Sequence, residues 1–162
     1  MGTQQLLMIL LSVIIVGAAV AVAIQMFDTQ SHNLTRSAMM ADAMHVAVQA
    51  QAWYRTPSNM GGGRGLGTID NTNMEAIAKY INRNADMPAG TDAKPTITNE
   101  GVAHYMFDGL ANGVLTLHVQ DVADDNEASI YLIVTVHLDG KDDTTKPAMQ
   151  NGILIEEVND FN

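Results

Sequence analysis

LLMILLSVIIVGAAVAVAI, residues Leu6–Ile24, decides how this chain is read: nineteen residues without a charge, in a sequence whose every Asp, Glu, Lys and Arg comes after Phe27. A helix rises about 1.5 Å per residue and needs roughly 20 apolar residues to cross a hydrocarbon core. The segment is therefore long enough to span a bilayer. Each Leu, Ile or Val removed from water contributes about 1.5–3 kcal/mol, so lipid or protein has to cover it. A cleaved secretory leader is not expected: there is no basic start, the apolar run is too long, and no Ala-x-Ala site precedes Gln25-Met26-Phe27-Asp28. Met1-Gly2 does not read as a myristoylation signal, because Leu6 stands where that motif has Ser or Thr.

Working outward, the helical pattern runs on. No Pro or Gly occurs from Asp28 to Tyr54, and good helix formers are frequent. Leu34, Ala38, Ala41, Met44, Val48 and Ala52 follow steps of three and four, which is one face of a helix. Met40, Ala43, Ala47, Ala50 and Tyr54 widen it, and Thr35, Asp42, His45 and Gln49 form a narrow polar stripe opposite. So broad an apolar arc predicts packing on two sides. The helix is expected to end at Arg55-Thr56-Pro57, since proline disfavours helix in the residue before it.

Ser58–Gly67 is glycine-rich and reads as a flexible turn. A phosphate cradle needs a strand before the glycines and a helix opening at them, and here a helix comes first. A short helix is predicted near Asn73–Arg83, followed by a loop punctuated by Met87-Pro88-Ala89-Gly90 and Lys94-Pro95. From Val102 the period changes to two, and Val102–Phe107, Val114–Val119, Ile130–Leu138 and Ile153–Val158 read as strands. Asn112-Gly113 marks a hairpin turn. The expected fold class is α+β: a long N-terminal α-helix packed on a C-terminal four-stranded antiparallel sheet. The segments are 1–27 (apolar half-helix), 28–55 (amphipathic half-helix), 56–101 (loop with a short helix) and 102–162 (the sheet).

Charge is unevenly placed. The net charge is −10, yet Asp28–Asn99 carries 6 acids and 6 bases, while Glu100–Asn162 carries 12 acids against Lys141 and Lys146 alone. An acidic outer surface argues against nucleic acid, whose phosphates need clustered Lys and Arg. It favours an exported C-terminal part. Cysteine is absent, which removes disulfides, thiolate catalysis and Cys-bound zinc.

This arrangement resembles the type IV pilins and pseudopilins, through the uncharged helix from Leu6, its amphipathic continuation to Tyr54, the variable loop and the final sheet. At the level of residues the resemblance rests on the first 27 or so. It implies a structural subunit of an extracellular type IV pilus-like filament. The apolar half-helix would be held in the inner membrane before assembly and would form the filament core afterwards. The implied partners are copies of the chain and a pilus assembly machinery. The implied assembly interface is Met1, Gln5, Leu6, Leu7, Ile9, Leu10, Val13, Ile14, Val16, Gly17, Val20 and Val22. Pilins usually have glutamate at the fifth place of the mature chain, offsetting a neighbour's terminal ammonium. If Met1 is the mature start, Gln5 occupies that place, and its amide accepts a hydrogen bond without neutralising the charge. Val22 stands where many pilins have proline, so any unwinding is expected at Val16-Gly17-Ala18. The alternatives are a single-pass membrane-anchored exported receptor or adaptor, and a pseudopilin of a secretion system.

Other constellations are weaker. His104, His118 and His137 fall in predicted strands, and His118 and His137 lie off the inward rows, but no ligand spacing links them and they read as surface histidines. Asp121, Asp124, Asp125, Asn126 and Glu127, with Asp139, Asp142 and Asp143, offer oxygens of the kind calcium takes but match no calcium-loop pattern. They read as solvated loops, and no cofactor is expected beyond that weak calcium candidate. Asn33-Leu34-Thr35 matches a glycosylation sequon beside an apolar helix row and reads as a chance match. Trp53 and Tyr54 are expected under the sheet. No nucleophile–base or paired-carboxylate pattern supports an enzyme.

Overall fold

The computed structural model describes residues 2–82, 85–86, 94–99, 103–120, 130–146 and 148–158. Met1, Val102, the Met87–Gly90 loop and the acidic cluster from Asp121 to Glu127 lie outside the described residues. The first element is one helix, α1 (Gly2–Arg55), as expected from its composition. The chain divides into two units, Met1–Ser37 and Ala38–Asn162, with the division falling within α1.

In the second unit a short helix α2 (Met74–Ile81) precedes five strands, β1 (Thr96–Asn99), β2 (Ala103–Ala111), β3 (Val114–Gln120), β4 (Ile130–His137) and β5 (Ile153–Glu157). The fold class is α+β. The strands pair antiparallel in the order β1-β2-β3-β4-β5, each beside its sequence neighbours. The sheet has five strands where four were expected. The extra one, Thr-Ile-Thr-Asn, falls in the segment read as loop; only Ile97 of its four residues is buried, too little to display a period of two. It pairs with β2 from Thr96↔Met106 to Asn99↔Ala103. Strand β2 also runs past its expected end at Phe107. Asp108-Gly109 looks like a turn in sequence, but a bulge between Phe107 and Gly109 absorbs the extra residue and pairing resumes to Ala111↔Val114. Asn112 and Gly113 then turn the chain with φ of 52° and 77°, the left-handed pair that a two-residue hairpin requires. Asn151 and Gly152 repeat the device, at 52° and 74°, before β5.

The inward row of the sheet is the one the alternation predicts: Tyr105 and Phe107, Leu115, Leu117 and Val119, Leu132, Val134 and Val136 are buried. They share one core with Met39, Ala43, Val46, Ala47, Ala50 and Trp53 of α1 and with Ile77 and Ala78 of α2. The helix face is therefore not the first row read from sequence. Leu34, Ala38, Ala41, Met44, Val48 and Ala52 are exposed, and the core takes the second row together with Met39, Val46 and Trp53. Two rows of alanine-rich helix are equally apolar by composition; the sheet selects the row that brings Trp53 inward.

Two side chains of α1 tie it to the sheet. Asp42, from the predicted polar stripe, accepts a hydrogen bond from the Tyr105 hydroxyl at 2.6 Å and one from Asn99 Nδ2 at 2.9 Å. Gln51, nearly buried, donates through Nε2 to the carbonyls of His137 (3.1 Å) and Asn151 (2.8 Å), bridging the end of β4 and the turn into β5. Burial, and then the bond to Asp42, push the Tyr105 phenol well above its ordinary range. A group whose folded pKa is raised contributes fully below its unfolded value, about 10 for tyrosine, and the contribution fades as pH climbs above it. In urea titrations of the whole chain, stability is expected to fall between about pH 9 and 11. Tyr105→Phe should cost about 1.5–3 kcal/mol at pH 8, the loss of a hydrogen bond to a charged group, and should make that alkaline fall shallower. An alkaline slope unchanged by Tyr105→Phe would contradict the link.

Candidate functional site

Among its described residues the first unit is helix alone. Leu6–Ile24, nineteen residues at about 1.5 Å each, measure about 29 Å, close to the roughly 30 Å of a hydrocarbon core. Among the described residues α1 is the one helix long and apolar enough to cross a membrane, and none of its apolar window is buried in the protein. The predicted interface residues Gln5, Leu6, Leu7, Ile9, Leu10, Val13, Ile14, Val16, Gly17, Val20 and Val22 are all exposed; Met1 is outside the described residues. Exposure is all-round: Leu7 at 67%, Met8 at 71% and Ile9 at 64% are successive residues, about 100° apart around the helix. A helix apolar on every side belongs in lipid or amid other helices.

Three hydroxyls here are satisfied within the helix. Ser12 Oγ donates to the Ile9 carbonyl at 2.8 Å, and Thr29 and Thr35 to the carbonyls of Gln25 (3.0 Å) and Ser31 (3.1 Å). In an apolar surround each unpaired polar group costs several kcal/mol, and these donors avoid that cost without a neighbour. Charge begins with Asp28, whose carboxylate lies 3.7 Å from His32 Nε2 one turn on. Gly17 has nothing within 4 Å of where a Cβ would sit. Asn33 of the sequon is exposed on the helix.

The other candidates take their places in the second unit. His104 shares a hydrogen bond with Thr98 Oγ1 (2.9 Å), and His118 Nε2 lies 3.6 Å from Asp108 Oδ2. His118 and His137 do share the outer face, but the register sets His137 opposite Val114, four residues along β3 from His118. No group of three His, Asp or Glu suited to a metal occurs among the described residues. Asp108 also accepts from Lys94 Nζ at 2.6 Å, and chiefly that bond holds its carboxyl below the usual range. Of the acidic residues before β5, Asp139 accepts from the Lys141 amide, Asp142 from the Gly152 amide and Asp143 from the amide and hydroxyl of Thr145. These bonds fold the segment, and they keep the carboxyls of Asp139 and Asp143 below their ordinary pKa.

The glycine-rich segment is not the open turn its composition suggests. It wraps the indole of Trp53: Trp53 Nε1 donates to the Gly61 carbonyl (2.9 Å), and the Gly63 amide donates to the Trp53 carbonyl (3.0 Å). A Cβ on Gly63 would lie 2.5 Å from the ring, and one on Gly62 would lie 2.1 Å from the Thr56 carbonyl oxygen. These glycines serve close packing at the helix end.

Sequence reasoning missed Gln51 and the Asp42–Tyr105 pair. Asp42 carried a signal, being an acid amid apolar rows on a helix expected to meet a sheet; Gln51 carried none. No protein-family model, curated protein or solved structure matches this chain.

Proposed function

We propose that the chain is a structural subunit of a type IV pilus-like filament, with a pilin-like fold, polymerising through the apolar half of α1. The observation that carries this reading is the fully exposed, uncharged Leu6–Ile24 surface on a helix whose continuation also leaves an apolar row uncovered. At about 25 cal/mol per Å² such a surface cannot be left in water. Lipid supplies cover before assembly, and neighbouring copies supply it afterwards. The contacts of a helical stack are heterologous and open, so one surface serves every addition. In this reading the acidic C-terminal part faces outward, at the cell exterior, and a pilus assembly machinery moves subunits from inner membrane to filament.

The match between the apolar length and a bilayer equally favours a single-pass anchored exported receptor or adaptor. Leu34, Met44 and Val48 weigh against it: a lone anchor has no use for exposed apolar residues (72%, 43% and 51%) beyond the bilayer. A pseudopilin of a secretion system uses the same assembly surface and differs in filament length. Electron microscopy of material sheared from cells producing the chain tests the proposal. Filaments labelled by antibody to the chain are the expected result; a chain that stays wholly with the membrane fraction as a monomer overturns it.

A further inference from the structure

Two adjoining clefts in the second unit share Tyr54 and Leu66 and differ in chemistry. The larger, of about 460 Å³, is lined by Asn112, His137 and Asp139 beside apolar Ile69 and Val114. The smaller, of about 260 Å³, is lined by Arg55, Arg64 and the glycines beside Arg64. Both volumes are of the order that small ligands occupy, roughly 300–1,000 Å³ for a whole site. The walls of the larger cleft are tied down: the Leu138 amide donates to the Gly113 carbonyl (2.9 Å), the His137 amide to Gly152 (2.6 Å), and Asn71 Oδ1 accepts from the Leu110 amide (2.7 Å). A further bridge joins Asp70 to Ala111, next to the segment carrying Leu66 and Ile69. Arg55 Nη2 lies 3.0 Å from the position a Gly140 Cβ would take, one residue from Asp139.

In a chain of net charge −10, two arginines line one cleft, and neither forms an ion pair among the described residues. Guanidinium forks bind carboxylates in two-pronged fashion. On the other side of Tyr54 the chemistry changes to an amide, an imidazole and a carboxylate, the groups that accept and donate to hydroxyls. Asp139 is engaged by the Lys141 amide and lies 3.4 Å from Lys141 Nζ, so a cationic ligand would have to compete with that lysine. Asp139 also repels a ligand charged along its whole length, which excludes polyphosphate and nucleic acid. What fits is a body with hydroxyls and an apolar face, carrying one anionic group at one end. We infer that the paired clefts bind a short oligosaccharide bearing a carboxylate sugar, its carboxylate on Arg55 and Arg64 and its neighbouring ring over Tyr54 within reach of Asn112 and Asp139.

The site is independent of polymerisation and can be tested on the whole chain in a detergent without a sugar headgroup. The probes are uronate-containing oligosaccharides, the same sugars as methyl esters, and a glutamate-rich peptide. The uronates should bind at least tenfold tighter than their esters. Arg64→Ala should erase that difference while Arg64→Lys keeps part of it, and Asp139→Asn should weaken acid and ester together. Thermal unfolding of each variant checks that the unit is intact; Arg64 is exposed, and its amide bond to the Thr56 carbonyl does not need the side chain. No oligosaccharide retained at millimolar concentration, equal binding of acid and ester, affinity unmoved by Arg64→Ala, or peptide binding as tight as uronate would each overturn the inference.

Discussion

Cells producing Ile14→Asp are expected to yield no sheared filament, while the second unit of the variant keeps its fold. Ile14 sits in the middle of the apolar half of α1 and is 59% exposed in the isolated chain, so the substitution removes no contact within the protein. Its effect falls wholly on whatever covers the helix. Among copies of the same helix a carboxylate at this depth finds no side-chain cation, because no Lys or Arg precedes Arg36. Removing an unpaired charge from water costs several kcal/mol even after relaxation, and each 1.4 kcal/mol is a factor of ten in an equilibrium constant. Assembly should therefore weaken by about a thousandfold or more. Insertion in lipid is penalised less, by about 2.5–3.5 kcal/mol at a helix centre, so membrane-bound subunit should accumulate. Ile14→Val, which keeps the surface apolar, is the control. Normal filament yield from Ile14→Asp would remove the basis of the proposed function.

Trp53→Ala should be the most damaging single truncation in the second unit. The indole is 1% exposed, closes the core where α1 ends, and is clasped by the glycine-rich segment through Gly61 and Gly63. Truncation leaves a cavity, orphans the Gly61 carbonyl and removes the surface on which the loop lies. Losses of about 3–5 kcal/mol are usual for such a change, which for a unit of this size lowers the thermal midpoint by about 10–20 °C. Trp53 is the single tryptophan of the chain, so its fluorescence reports on this contact without a label. Gly63→Val should give a related loss, because the indole must move aside before a side chain fits. A Trp53→Ala midpoint within a degree or two of wild type would mean that the loop does not depend on the ring.

How much of this was legible in the sequence depends on the kind of signal. Leu132, Val134, Val136 and Leu138 were identifiable as core because period-two alternation has no other reading at that length. The exposed apolar helix was legible from composition alone. Strand β1 was hidden because four residues with one buried side chain carry no period, and the extent of β2 was hidden because a bulge and a turn use the same residues, Asp and Gly. Which helix face meets the sheet was not legible, because alanine rows on two sides are nearly equivalent until a partner surface chooses. The paired clefts had no linear signature at all: Tyr54, Arg64, Asn112 and Asp139 meet only because a helix end, a loop, a hairpin turn and a strand end converge.

The ladder β1-β2-β3-β4-β5 links every strand only to its neighbours along the chain. Such a meander can zip up progressively during synthesis, hairpin upon hairpin, with each closure spanning a short stretch and costing little entropy. The closure of longest range among the described residues is the arrival of Met39–Trp53 on the finished ladder. A nascent chain would thus have its helical lid seated last, which makes helix docking the step at which misfolding and proteolysis compete with maturation.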